Sequence, residues 1–247
     1  MEQVVQMRGR LTSDRTTAKI AGVLWIIATA ASLASVPFIA HMNDADYLAT
    51  VSANGTEMTF GILLAFIAAL ASATIAISLF PVLRRYNEGL ALGAVGLRLI
   101  EGVFYIVGVV CLLSLLNLSQ AYVKAASPDP SFQTTGTVLL AAYHAAGNVA
   151  SPMAFCLGAT LYYIVFYQSR LVPRWLSGWG ILAAALAFVA FLLGMFGIIG
   201  PLSTPEVVLA FPIAVQEMAI AVWLIFKGFS PSATLRSASS KQPTGLA

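Results

Sequence analysis

The stretch that decides the fold runs from Leu90 to Leu118 and reads LALGAVGLRLIEGVFYIVGVVCLLSLLNL. It is longer than the ~20 residues that an α-helix needs to cross a hydrocarbon core. Its only charged residues are Arg98 and Glu101. Charged side chains at membrane depth cost at least ~2.5–3.5 kcal/mol each on insertion scales, so they are rarely without a role. The stretch therefore predicts a membrane-spanning helix with a polar site in its middle.

The composition of the whole chain is that of a membrane protein. Of its 247 residues, 59% are hydrophobic and 9% are charged, whereas soluble domains carry roughly 25% charged residues. Strands are excluded because the apolar runs are continuous and exceed the ~9–11 residues of a barrel strand. The expected fold is all-α, with six transmembrane helices in one bundle. These spans are predicted at Ile20–Met42, Met58–Leu83, Leu90–Leu118, Val138–Tyr167, Trp175–Ile199 and Val207–Phe226.

The positions of the basic residues predict the orientation of the bundle. Of the 13 lysine and arginine residues, Arg98 lies inside a span, Lys124 lies on one side, and the other eleven fall on the opposite side. Lysine and arginine accumulate on the cytoplasmic side of membrane proteins, so both termini are expected in the cytoplasm. No nucleic-acid partner is expected, because the basic residues form short groups between apolar runs. The eleven are Arg8, Arg10, Arg15, Lys19, Arg84, Arg85, Arg170, Arg174, Lys227, Arg236 and Lys241.

The chain is predicted to have three parts. A cytoplasmic N-terminal segment, 1–17, precedes the transmembrane domain, 18–229, and a Ser/Pro/Thr-rich tail, 230–247, is expected to be disordered. Residues 1–35 also show the basic start, apolar middle and small residues of a cleaved signal peptide. The apolar run continues through Val36–Ala40, which favours a retained span.

Polar side chains recur at helical spacing inside three of the spans, and they form the candidate site. Counting ~1.5 Å per residue from the cytoplasmic helix ends places Glu101 ~16 Å deep and Glu217 ~14 Å deep. The two carboxylates are therefore expected in one layer, with Glu217 within ~4 Å of Arg98 or joined to it by one water. The candidate site residues are Arg98, Glu101, Tyr105, His144, Asn148, Gln216 and Glu217.

This layer has two interpretations. Two carboxylates and one guanidinium leave an excess negative charge, so in a low dielectric one carboxyl is expected to carry a proton. The carboxyls would then titrate as a coupled pair, which is the chemistry of a proton relay. Alternatively, the buried ion network is structural and holds three helices in register.

Two prolines interrupt the helices that carry this layer. Pro152 cannot donate to the carbonyl of Asn148, and Pro212 cannot donate to that of Val208. Broken helices near the midplane are typical of transporter sites. Proline kinks without any site also occur, so this observation favours a transporter only in combination with the charges.

Signatures of soluble enzymes are missing. The sequence has no Gly-x-Ser-x-Gly, Walker or Rossmann motif and no zinc spacing. Its two histidines, His41 and His144, are far apart along the chain. Cys111 and Cys156 are expected at different depths, too far apart for a disulfide. The sequence therefore predicts no catalytic residue, no metal site and no cofactor.

Several motifs recur in order from about Arg15 to Phe229 and resemble the bacterial membrane proteins grouped as domain of unknown function 4386. The resemblance implies a multi-pass protein of the bacterial cytoplasmic (inner) membrane and supplies no activity. It also implies an acidic residue near the position of His144, where this chain departs. The motifs are LFPVL at 79–83, NEGLALG at 87–93, RLIE at 98–101, SRLVPRWLS at 169–177, GMFG at 194–197, and QE at 216–217 followed by AVWL at 221–224.

Three functions stay open. The leading hypothesis is a small secondary transporter or permease that uses Arg98, Glu101 and Glu217, with a proton or a small molecule as substrate and the lipid bilayer as its surroundings. The second is a non-catalytic accessory or sensor protein whose ion pair is structural, and the third is an intramembrane enzyme. A polar cavity open to one side would favour the first, and a dry bundle the second. Lipid beside the carboxylates would favour the third.

Overall fold

The computed structural model describes residues 2–39, 42, 46–125, 129–201 and 203–231, with the backbone alone for 2–8 and 10. All regular structure in these ranges is helical, which confirms the all-α prediction. A π-helical turn, His144–Ala150, joins α5 to α6. The helices are α1 (Glu2–Ile39), α2 (Tyr47–Ala53), α3 (Gly55–Leu83), α4 (Glu88–Lys124), α5 (Ser131–Tyr143), α6 (Ser151–Ser169), α7 (Arg174–Met195) and α8 (Thr204–Phe226).

Six helical stretches in the described chain are long and apolar enough to cross a membrane, as predicted. Large apolar side chains of every span stay exposed on the outer surface, among them Leu63, Val103 and Leu182. Such a surface is stable in lipid rather than in water. The stretches are Leu11–Ile39, Gly55–Leu83, Glu88–Lys124, Ser131–Ser169, Arg174–Met195 and Thr204–Phe226.

Some helix ends differ from the prediction. Helix α1 already begins at Glu2, so most of the predicted N-terminal segment is helical. Helix α4 continues past Leu118 to Lys124, because no glycine or proline interrupts this stretch. Helix α7 ends at Met195 rather than Ile199. Gly197 follows with a φ of 68°, a left-handed conformation that glycine adopts without strain and that commonly ends helices.

The six spans form a closed ring in chain order. Helix α1 packs on α3, α3 on α4, α4 on α6, α6 on α7 and α7 on α8, and α8 closes the ring against α1. The closing contact depends on a small residue, since a Cβ at Gly22 would lie 2.7 Å from the backbone oxygen of Ala221. Small residues at such crossings allow close backbone approach in membranes.

The two ends of the bundle differ in charge. At the basic end, Nη1 and Nη2 of Arg85 donate to the carboxylate of Asp14 at 2.9 and 2.6 Å. At the same end, the backbone N–H of Ser230 donates to the carbonyl of Leu171 at 2.8 Å. The opposite end, called the loop end, carries α2 and the α4–α5 connection. The predicted tail, 230–247, lies outside the described residues except for 230 and 231. His41 also lies outside them, in the gap at 40–41.

Two apolar clusters fill the ends of the ring. Toward the basic end, Trp25, Tyr162 and Phe166 belong to one buried cluster, in which the Trp25 and Tyr162 rings meet edge-on at 5.6 Å. At the loop end, Leu48 of α2 and Leu112 of α4 belong to a second cluster. A cavity remains between α1, α4 and α8, and five of the seven candidate residues line it: Glu101, Tyr105, His144, Asn148 and Glu217.

Candidate functional site

A cavity of about 810 Å³ lies inside the ring, between α1, α4, the π-helical turn and α8. It extends from Pro201 and Glu206 at the loop end to Glu101 and Glu217 in the middle of their helices. Its volume falls in the ~300–1,000 Å³ range of small-molecule sites. The polar and aromatic groups that line it include Thr29, Ser32, Ser72, Glu101, Tyr105, Tyr143, His144, Asn148, Ser151, Phe155, Phe191, Glu206 and Glu217.

Arg98 lies behind one wall of this cavity in a buried polar network. Its side chain is fully buried, and its Nη1 lies 3.0 Å from Oε2 of Glu101. Its Nη2 donates to Oγ of Ser72 at 2.6 Å and to the Ser72 carbonyl at 3.0 Å. The Ser72 hydroxyl in turn donates to Oε1 of Glu101 at 2.8 Å. The positive charge of Arg98 is therefore balanced by Glu101, and Arg98 itself is not part of the cavity lining.

A third helix covers the outer face of this network. The guanidinium carbon of Arg98 lies 4.8 Å from the ring centre of Phe155 in α6, a cation–π distance. Packing is tight, because a Cβ at Gly158 would lie 3.0 Å from the Cγ of Arg98. The ion pair lies within α4, and its contacts with Ser72 and Phe155 connect it to α3 and α6.

Glu217 faces the cavity from α8 and is 9% exposed. Nε1 of Trp25 donates to its Oε1 at 3.1 Å, and the hydroxyl of Thr29 donates to its Oε2 at 3.2 Å. Both donors belong to α1 and both are neutral. The carboxylate of Glu217 is therefore held in position by hydrogen bonds without a basic partner in the described chain.

The described residues show no direct ion pair between Glu217 and Arg98, and the alternative link through one water stays a prediction. Arg98 pairs with Glu101 alone among the described carboxylates. The guanidinium of Arg98 is instead directed to Ser72 of α3 and to the ring of Phe155 in α6, and Glu217 is bound by two donors of α1. The expectation that Glu217 avoids lipid and shares a layer with Glu101 agrees with their common cavity.

Trp25 is the partner that the sequence reasoning missed. In the structure it is fully buried and its N–H serves Glu217. A tryptophan below the interface needs an acceptor for its N–H. The position of Trp25 in the sequence could therefore have indicated a buried hydrogen-bond acceptor nearby.

The π-helical turn presents His144 and Asn148 to the cavity. Nδ1 of His144 and Nδ2 of Asn148 lie 3.0 Å apart. The backbone N–H of Ser151 bonds the carbonyl of Ala146, five residues earlier, directly before Pro152. The sequence predicted that Pro152 leaves a carbonyl without its usual donor, and the structure has a π-helical turn, His144–Ala150, directly before this proline. Turns of this kind recur at functional sites.

Two further candidate residues occupy different places. The hydroxyl of Tyr105 lies in the cavity wall, 3.3 Å from the Ser32 hydroxyl of α1. Gln216 is fully buried outside the cavity, where Tyr163 donates to its Oε1 at 2.5 Å and its Nε2 donates to the carbonyl of Leu176 at 3.1 Å. Successive helical residues point ~100° apart. The structure therefore separates Gln216 from Glu217.

The described residues hold no group of three histidine, cysteine, aspartate or glutamate side chains that could bind a metal ion. Cys111 and Cys156 are both buried free thiols. The chemistry available in the cavity is that of carboxylates, hydroxyls, an imidazole and aromatic rings.

A closed ring of six apolar spans around a largely apolar cavity with carboxylates in its wall defines a multi-pass α-helical membrane protein. Residues 20–228 match the family described as Domain of unknown function (DUF4386). The chain belongs to this family, as the motifs in its sequence indicated. Neither the curated proteins nor the solved structures contain a match to the chain.

Proposed function

We propose that the protein is a small secondary transporter or permease, that the cavity is its substrate path and that Glu217 is its coupling residue. The observation that carries this proposal is the exposure of Glu101 and Glu217 to one cavity in the middle of the spans. Ionisable residues that face a cavity inside the membrane mark ion and substrate pathways.

The charge balance of the cavity favours Glu217 over Glu101 for coupling. Glu101 is neutralised by Arg98 at 3.0 Å and is bound by Ser72. Glu217 receives only neutral donors, from Trp25 and Thr29. A buried carboxylate without a cation binds a proton or a cationic ligand to balance its charge. Exchange of the two at one carboxylate is the simplest form of coupled transport.

The shape of the cavity also supports a transport cycle. The cavity reaches the loop end, whereas the fully buried rings of Trp25, Tyr162 and Tyr163 fill the ring toward the basic end. A site near the midplane that opens to one side corresponds to one state of alternating access. With the basic end in the cytoplasm, as its charges favour, the cavity faces outward across the proposed bacterial inner membrane.

Reconstituted liposomes with a trapped pH dye test this proposal. Organic cations and amphiphiles are added outside, and a substrate is a compound that changes the internal pH. We expect Glu217→Gln to fold and to abolish this flux, because glutamine keeps the shape but cannot ionise. Glu88→Gln is the matched control, since Glu88 is exposed in the first turn of α4. Normal folding and unchanged flux in both Glu101→Gln and Glu217→Gln would refute the coupling role.

A second candidate function is a non-catalytic accessory or sensor protein. The network of Arg98, Glu101 and Ser72 favours it, because this network joins α3 to α4 without needing a ligand. Loss of stability in Arg98→Ala, together with no flux of any compound in the wild-type protein, would support this function over the permease.

A further inference from the structure

We infer that the cavity binds an organic monocation, such as an amine or quaternary ammonium with apolar substituents, beside the carboxylate of Glu217. This inference rests on the proposed function in treating the cavity as the substrate path, and it adds the substrate class. It is carried by three properties of the described cavity wall: its charge, the hydrogen bonds of Glu217, and its aromatic content.

The charge of the wall is negative. Its described residues include the carboxyl groups of Glu101, Glu206 and Glu217 and no lysine or arginine. Arg98 is fully buried behind the wall, where it neutralises Glu101. His144 is the wall residue that could carry a positive charge, and it belongs to the π-helical turn rather than to the helices around Glu217. A ligand with one positive charge would balance Glu217.

The hydrogen bonds of Glu217 leave room for such a ligand. An ionised carboxylate accepts about four hydrogen bonds, whereas Trp25 and Thr29 supply one each. These donors fix the orientation of the carboxylate against α1. The remaining lone pairs are available to an ammonium N–H, and the charge is available to a quaternary nitrogen.

The rest of the wall favours an organic cation over an inorganic one. Tyr105, Tyr143 and Phe191 contribute aromatic rings, whose faces attract cations. A calcium-like ion instead requires about six to eight oxygen ligands, and no metal-binding group of acidic residues or histidines occurs in the described chain. The volume of about 810 Å³ also exceeds what a bare ion would occupy.

Equilibrium binding to the full-length protein in lipid nanodiscs tests the inference. The probe is tetraphenylphosphonium, and tetraphenylborate is the control ligand with the same shape and the opposite charge. Empty nanodiscs measure partition into lipid. We expect saturable binding of the cation alone, displaced by other organic monocations and not by sodium or magnesium. Glu217→Gln should weaken binding at least about tenfold, as expected for loss of a charge contact away from water, and Glu88→Gln should leave it unchanged.

A second measurement uses the wild-type protein and does not depend on folding of the variant. Dicyclohexylcarbodiimide modifies carboxyl groups in apolar sites, and mass spectrometry locates the adduct. Tetraphenylphosphonium should protect Glu217 from modification, and tetraphenylborate should not. Equal binding of both probes, or binding without protection of Glu217, would overturn the inference. Proton flux without cation binding would overturn the inference and leave the permease proposal standing. Cation binding without flux would refute the permease proposal and leave the inference standing.

Discussion

The indole of Trp25 donates a hydrogen bond to the carboxylate of Glu217 across 3.1 Å, although the two residues are 192 positions apart in the chain. They belong to α1 and α8, the first and last spans, which close the ring. The bond therefore places the carboxylate of Glu217 at the contact between α1 and α8 that closes the ring. The same hydrogen bond contributes to the stability of this contact and fixes the carboxylate that faces the cavity.

Replacement of Trp25 by phenylalanine should separate these two roles. The variant keeps an aromatic ring against Tyr162, which lies 5.6 Å from the indole, and loses the donor to Glu217. Because hydrogen bonds between membrane helices contribute ~0.6 kcal/mol on average and up to ~1.7 kcal/mol, we expect a loss of this size, measured by thermal unfolding in detergent. Trp175→Phe is the control, since Trp175 is exposed. Equal effects of the two substitutions would contradict the role of the hydrogen bond.

The ion pair should contribute far more to stability than the coupling residue. Removal of one partner of a buried ion pair typically costs ~3–5 kcal/mol, so Arg98→Ala should lower the unfolding temperature sharply. Glu217→Gln should lower it much less, because its hydrogen-bond donors remain satisfied. The paired change of Arg98→Met with Glu101→Leu should be milder than Arg98→Ala alone. A mild Arg98→Ala would show that the network is not what holds α3, α4 and α6 together.

Two glycines provide a matched test of helix packing. Gly22→Ala should weaken the contact between α1 and α8, since the new Cβ would lie 2.7 Å from the carbonyl oxygen of Ala221. Gly96→Ala should be neutral or stabilising by up to ~1 kcal/mol through helix propensity, because nothing lies within 4 Å of its Cβ position. The two variants are compared by thermal unfolding. A stable Gly22→Ala protein would argue against close closure of the ring.

Gln216 and Glu217 are neighbours in sequence and should behave oppositely. Gln216→Met should lower stability, because it removes the acceptor of the buried Tyr163 hydroxyl. Unfulfilled buried groups of this kind cost ~1–3 kcal/mol each. Cation binding by the folded fraction should be unchanged. Glu217→Gln should keep stability and lose binding, so a loss of binding in folded Gln216→Met would refute the separation.

The orientation of the bundle can be tested with reporter fusions. Fusions at Asn54 and Ser203, near the loop end, should report a location outside the cytoplasm. Fusions at Asn87 and Leu171, near the basic end, should report a cytoplasmic location. The reason is the accumulation of basic residues at that end. A fusion at Asn87 that reports the outer side would refute the orientation.

The sequence by itself determined the spans and the depth of the polar residues. Both are local properties, because an apolar run of sufficient length must be helical in lipid. Depth then follows from a fixed rise per residue. For this reason Glu101 and Glu217 could be assigned to one layer before any contact was known, and both line one cavity.

Only the tertiary structure decided which side chains meet within that layer. Depth does not reveal which helices are neighbours. In the structure, α1 packs on α8 and Trp25 binds Glu217, whereas α3 packs on α4 and Ser72 binds Arg98 and Glu101. Rotation of α8 about its axis then directed Glu217 into the cavity and Gln216 into the core. These outcomes depend on packing between residues far apart in the chain, where van der Waals contact and hydrogen bonding replace the hydrophobic pattern as the deciding forces.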